Sequence, residues 1–235
     1  MSDQDATTPR VFLARHGETE WTINGRYTGV TELDLTANGV QQVLGSGKRL
    51  VGPGKLINPT NVARVFVSPR KRTQTTFGLL FGQGEECIID KSKITITEEI
   101  AEWGYGEYEG LITPEIVARR AARGLDKNTP WDIWRDGCEG GDRRSAQQVT
   151  DRLDGLIQKI YEIQRPNMHG EAPADVVLVA HGHILRAFVK RWLRYPMEKP
   201  LGLMMSPGAI GVLSYENHRI EDPALMVGMS LPQER

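Results

Sequence analysis

Only two cysteines occur in the 235 residues, Cys87 and Cys138, and neither sits in a C-x-x-C pair. A disulfide-stapled scaffold is excluded, and a reduced, cytoplasmic setting is the expectation. No excess of one charge exists: 29 Lys and Arg stand against 30 Asp and Glu, a formal net charge of −1. That balance argues against a nucleic-acid binder, but not against a local basic pocket. No apolar run approaches the ~20 residues of a membrane span. The stretch Met1 to Arg10 is polar and has no apolar signal-peptide segment. Internal repeats and low-complexity tracts are also missing. What is there, 39% hydrophobic and 25% charged residues, is the composition of a folded chain rather than a disordered one.

The weakest structural signals fall on residues 1–9, expected to be a flexible terminus, on Gly52 to Pro59, on Gln164 to Pro173 and on the last few residues. None is long enough to link domains, so one domain spanning 1–235 is expected. Short runs rich in β-branched residues, Val11 to Ala14, Val62 to Val67 and Val176 to Ala180, read as strands buried on both faces of a parallel sheet. Ile210 to Tyr215 reads as a further strand at an edge. Between them lie helical patterns: one after the N-cap candidate Thr36, one over Ala146 to Gln164 with three-four apolar spacing, and one over Leu185 to Leu193. The alternation predicts an α/β fold, a three-layer sandwich with a mainly parallel central sheet and helices on both faces.

Each central run ends in a polar cluster: Arg15-His16-Gly17-Glu18, Ser68-Pro69-Arg70-Lys71-Arg72 and His181-Gly182-His183. Open α/β sheets hold ligands at the carboxyl ends of their strands, so these clusters would meet in one crevice. Histidines beside arginines suit phosphoryl chemistry. Arginine matches phosphoryl oxygens in a forked geometry, and a neutral imidazole can attack phosphorus. Ser68-Pro69 reads as an N-cap and first turn, which would turn a helix amino end toward an anion. A proton donor would come from Glu99, Glu102, Glu107 or Glu109, and residue chemistry alone does not choose among them. Aromatic burial of Glu102 beside Trp103 and Tyr105 would keep it protonated, and Tyr105 is expected in the pocket. Two other glutamates of this cluster, Glu107 and Glu109, read as solvated. Arg119, in the basic run 119–123, and Arg135 are candidates for a second phosphate. The His181-x-His183 pair lacks the further ligand that a metal site needs.

Taken in order, these clusters resemble the signatures of the histidine phosphatase, or phosphoglycerate-mutase-like, superfamily. Arg15-His16-Gly17-Glu18-Thr19 with Tyr27-Thr28-Gly29 resembles its first motif, and Ser68-x-x-x-Arg72-x-x-x-Thr76 its second. Glu102-x-x-Tyr105-Gly106-x-x-x-Gly110 resembles its acid motif, and Ala180-His181-Gly182 with Leu185-Arg186 its last. The resemblance implies His16 as nucleophile, Arg15, Arg72 and His181 as phosphoryl ligands, and Glu102 as proton donor. It implies Thr28, Gly29 and Gly182 near the substrate, with no metal and no organic cofactor. Pro130 to Glu139 and Gly211 to Tyr215 are similar to the fungal sedoheptulose 1,7-bisphosphatase branch, which carries a longer stretch where this chain runs from Trp192 to Gly208. The implied partner is a small phosphorylated sugar, with sedoheptulose 1,7-bisphosphate or a related sugar phosphate leading, and not a nucleic acid or membrane; a homo-oligomer is compatible. Leu111-Ile112-Thr113 stands where the mutases carry a lysine, which ranks a phosphoglycerate-type mutase second. A non-catalytic module binding phospho-ligands ranks third.

Overall fold

A computed structural model describes residues 7–140 and 145–228. The expectations for residues 1–6 and for the last few residues lie outside the described residues. Thr8, within the stretch expected to be least structured, is buried, and its hydroxyl lies 2.8 Å from Nδ1 of His218.

In chain order the elements are β1 (Val11–Arg15), α1 (Glu20–Asn24), α2 (Ala37–Leu50), β2 (Val62–Val67), α3 (Lys71–Phe81), β3 (Ile94–Ile96), α4 (Thr113–Ala122), α5 (Ile133–Asp136), α6 (Ala146–Gln164), β4 (Asp175–Ala180), α7 (Gly182–Trp192), β5 (Ile210–Tyr215) and β6 (Pro223–Leu225). They build a six-stranded sheet in the order β3-β2-β4-β1-β5-β6. The first four are parallel, while β5 runs antiparallel to β1 and β6 antiparallel to β5. This is the mainly parallel α/β architecture expected. β5 is not an edge strand, however, because the short β6 covers it.

Successive residues of one strand feed opposite faces of the sheet. Val11 and Leu13 of β1 and Val176, Leu178 and Ala180 of β4 pack with α6 and α7. Phe12 and Ala14, with Val177 and Val179, pack with Val43 of α2 and Leu80 and Phe81 of α3. Each valine, leucine or phenylalanine among them, wholly removed from water, contributes roughly 1.5–3 kcal/mol. The near-continuous apolar runs therefore follow from burial on both faces. α6 starts at a Ser145–Gln148 capping box and buries the expected stripe, Val149, Leu153, Leu156, Ile157 and Ile160.

Two helix starts differ from the sequence reading. α7 begins at Gly182, three residues early, so its amino end lies against the first strand's carboxyl end. α3 begins at Lys71, with Arg70 at the N-cap and no side-chain cap. Ser68 does not cap it. Lys71 N–H is taken by Glu32 Oε2 at 2.8 Å, so this end meets a carboxylate of the same chain rather than an open anion site.

Candidate active site

β2, β4 and β1 lie side by side, so the three polar clusters converge at their carboxyl ends. His16 follows β1 directly, and its backbone N–H donates to the Ala180 carbonyl at 3.0 Å. The residue is 4% exposed. Its Nδ1 sits 2.7 Å from the Gly17 carbonyl, which can only accept, so Nδ1 carries the proton and Nε2 keeps its lone pair. Burial, then the nearby Arg72 charge, pull the pKa of His16 down to about 3. The imidazole is therefore neutral at ordinary pH.

A hollow of about 190 Å³ opens beside His16. Of the expected residues it gathers Arg15, His16, Thr28, Glu102, Tyr105 and Gly182. Arg15 donates to the Met205 carbonyl at 2.5 Å, while its Nε is buried without a hydrogen-bond partner among the described residues. A buried donor left open at the wall of a hollow is a reason to expect an anion there. Gly182 lets that guanidinium lie flat against α7, since a Cβ would approach Arg15 Cζ to 3.2 Å.

Glu102 is buried and lines the hollow together with Tyr105, and its carboxyl is held by backbone N–H groups. Its Oε1 accepts from the backbone N–H groups of Trp103 at 2.9 Å and Ile184 at 2.8 Å, and its Oε2 from His183 N–H at 3.1 Å. The carboxyl is thus tethered to the amino end of α7, a favourable place for an acidic group. Oε2 holds one such bond against two for Oε1, so it has the spare lone pair able to carry a proton.

Arg72 and His181 stand behind the hollow rather than in its wall. Both are 0% exposed. The His16 and His181 rings meet edge-on with centroids 5.2 Å apart. Arg72 Nε donates to His181 Nδ1 at 3.1 Å, which puts the ring proton on Nε2, 2.7 Å from Ser68 Oγ. Ser68 therefore serves His181, 113 residues away in the chain. Burial, with Arg72 and His16 adding to it, holds His181 well below its ordinary pKa. Three further Arg72 bonds go to backbone carbonyls: Thr31 at 2.9 Å, Thr28 at 3.0 Å and Gly29 at 3.0 Å.

Three expectations need correction. Gly29 does not line the hollow. It is buried, its N–H is held by Glu109, and a Cβ would come within 2.7 Å of the Trp103 carbonyl, so close packing explains the glycine. Arg119 is paired with Glu107 at 2.8 Å, and Arg135 with Asp136 at 2.6 Å. Neither reaches the hollow, and Arg120 and Arg123 are likewise committed, to Asp126 and Glu139. Glu109 is not a solvated carboxylate, since three backbone N–H groups bind it. The hollow instead recruits Arg26, Arg186, Trp21, Tyr27 and His183. Arg186 was visible only as part of a motif. Arg26 gave no signal beyond lying next to Tyr27-Thr28. Tyr105 Oη lies 2.6 Å from His183 Nδ1, and burial, with Arg186 and Arg15 adding to it, lowers the His183 pKa to about 3. A larger hollow, about 350 Å³, lies at the opposite ends of the strands around the Arg10–Asp175 ion pair. It holds none of this chemistry.

The model of the histidine phosphatase superfamily (branch 1) matches residues 11–222. The chain belongs to that superfamily. It is 35% identical to sedoheptulose 1,7-bisphosphatase of Saccharomyces cerevisiae, over 97% of this chain and 96% of the yeast protein. It is 34% identical to an acid phosphatase of Mycobacterium tuberculosis, over 95% of each chain. A solved structure of an open reading frame product of M. tuberculosis superposes with a TM-score of 0.71 at 32% identity, covering 93% of this chain and 96% of that one. An Entamoeba histolytica phosphoserine phosphatase mutant in complex with phosphoserine shares the fold, with a TM-score of 0.67 at 21% identity and 92% and 94% coverage. The superfamily match and the two phosphatase relatives make this protein a phosphoric monoester hydrolase.

Proposed function

We propose that the protein hydrolyses a phosphorylated sugar, without metal or organic cofactor, through a phosphohistidine formed on His16. The observation that carries this reading is the neutral His16 ring, with Nδ1 bound to the Gly17 carbonyl, in one hollow with the open Arg15 donor.

Catalysis would run in two steps. His16 Nε2 attacks phosphorus as the bond to the sugar oxygen breaks, and Glu102 Oε2 gives that oxygen its proton. The phosphorylated ring becomes an imidazolium, whose Nδ1–H is already held by the Gly17 carbonyl. Glu102, now a carboxylate, takes a proton from water while the water oxygen attacks phosphorus. The P–N bond breaks, phosphate leaves and both groups are restored. Arg15 offers charge to the phosphoryl oxygens. Arg72 and His181 back the ring from beneath, and Thr28 and Gly182 complete the rim.

Sedoheptulose 1,7-bisphosphate, or a related sugar bisphosphate, is the favoured substrate. Besides Arg15, the wall of the hollow carries Arg186, which has no carboxylate partner among the described residues, and Arg26, which is paired with Glu115 at 3.3 Å. A monophosphate would leave this second charge unmatched. The yeast relative is named a sedoheptulose 1,7-bisphosphatase, which supports the same choice. The alignment with it spans 263 positions against 235 residues here, so the two pockets can differ in outline. We further propose a single cytoplasmic catalytic domain. No disulfide joins Cys87 and Cys138. Among the described residues no helix is long and apolar enough to cross a membrane.

A phosphate-release screen over sugar mono- and bisphosphates tests the reading. Turnover of bisphosphates well above that of the matching monophosphates is expected. Phosphoglycerate isomerisation without net phosphate release would instead identify a mutase, and tight binding without turnover a binding module.

A further inference from the structure

The loop from Tyr27 to Thr31 is gripped from two sides. On one side, Glu109 Oε1 accepts three backbone N–H groups, from Gly29 at 2.9 Å, Val30 at 3.0 Å and Thr31 at 2.9 Å. Glu109 Oε2 also accepts from Gly29 at 3.0 Å. On the other side, the carbonyls of Thr28, Gly29 and Thr31 converge on the Arg72 guanidinium. Gly29 and Thr31 are therefore held at both their N–H and their C=O.

Successive N–H groups converging on one oxygen make an anion nest, and their carbonyls then lean the other way. Here a carboxylate of the same chain fills the nest. Among the described residues no cation pairs with Glu109, so the half-buried charge is matched by these backbone dipoles. The flanking chain secures the junction: Tyr27 N–H donates to the Leu111 carbonyl at 2.9 Å, and Gly110 N–H to the Tyr27 carbonyl at 2.8 Å. Glu109 makes no bond to His16, Arg15 or Glu102. Its route to the site runs through the loop carbonyls to Arg72, then to His181 Nδ1, whose ring lies edge-on to His16.

We propose that Glu109 is a positioning residue that aims Arg72: by filling the nest of residues 29–31 it turns their carbonyls onto the guanidinium and sets the Arg72–His181 pair behind His16. The proposal rests on the reading of His16 and Arg72 as parts of the phosphoryl site. A purely structural carboxylate would stabilise the loop without caring what the guanidinium does. A positioning one must lose its effect when residue 72 can no longer take a forked set of bonds.

The test is a double-mutant cycle on the full chain, with orthovanadate as the phosphoryl mimic. Vanadate affinity is read by calorimetry and turnover with an aryl phosphate. Glu109→Gln keeps the shape but loses the charge behind the charge-assisted bonds. It is expected to weaken vanadate binding and lower kcat by about tenfold each, with KM changed less than about threefold. In an Arg72→Lys background the same change should weaken vanadate binding by less than about twofold, since lysine cannot bridge the carbonyls. Full, additive loss in both backgrounds, or no loss in the parent, would overturn the proposal. If Glu109→Gln fails to fold by urea titration, Glu109→Asp, which keeps the charge but shortens its reach, is put through the same cycle against the same two outcomes. A vanadate-insensitive parent enzyme would overturn the phosphoryl-site reading and this proposal with it. A sensitive parent with an additive cycle overturns the role of Glu109 alone.

Discussion

Lowering the pH from 7 to 5 should destabilise this protein by an amount that the buried imidazoles set. His16 and His183 are held down to about 3, against an ordinary value of 6.5, and burial is the larger cause for both. His181 is displaced in the same direction. The sign follows from proton counting. Between the native and unfolded pKa values the unfolded chain binds protons that the native rings refuse, so stability falls as the pH falls. For one such ring, linkage gives a loss of about 2 kcal/mol between pH 7 and pH 5, nearly independent of how far below 5 the native value lies. Two rings would remove about 4 kcal/mol, a large share of a typical 5–15 kcal/mol, with the half-buried His183 at the lower end of its share. Urea unfolding followed by tryptophan fluorescence at pH 5, 6 and 7, in phosphate-free buffer, measures this. His16→Asn removes one titrating ring, so its loss between pH 7 and pH 5 should be about 2 kcal/mol smaller than the parent's. Parallel curves for the two proteins would refute a neutral, buried His16.

The substitution His16→Ala should abolish phosphate release, and turnover above about one-tenth of normal would be incompatible with covalent catalysis at this ring. Glu102→Gln should slow alkyl phosphate esters far more than an activated aryl phosphate, whose leaving group needs no proton; equal slowing would remove Glu102 from the acid role. Arg186→Met should raise KM for a sugar bisphosphate by about tenfold or more while leaving an aryl monophosphate within about threefold. The ion-paired Arg119→Ala and Arg135→Ala should each stay within about twofold on both, and a large loss there would return the second phosphate to the 119–135 region.

Features built from near neighbours were the legible ones. Short β-branched runs marked β1, β2 and β4, and three-four spacing marked α6, because burial imposes each pattern locally. The polar clusters at the strand ends were legible for the same reason: parallel neighbours must bring their carboxyl ends together. What escaped depends on partners far along the chain. Ser68-Pro69 has the local form of a helix start, yet the Ser68 hydroxyl bonds His181, and the helix begins only after Arg70. Glu109 reads as one more surface carboxylate because its partners are backbone N–H groups about 80 residues earlier. Arg119 and Arg135 read as phosphate ligands only while Glu107 and Asp136 are ignored. β3 and β6, at three residues each, are too short to show a period.

Rapid acid-free quenching of the enzyme with a labelled sugar bisphosphate, followed by peptide mapping, reads the chemistry itself. Label stable in base and lost in acid, carried on Nε2 of His16, and absent from His16→Ala, is the expected result. Steady turnover with no label on this ring, or label on another residue, would contradict the covalent route on which the whole account depends.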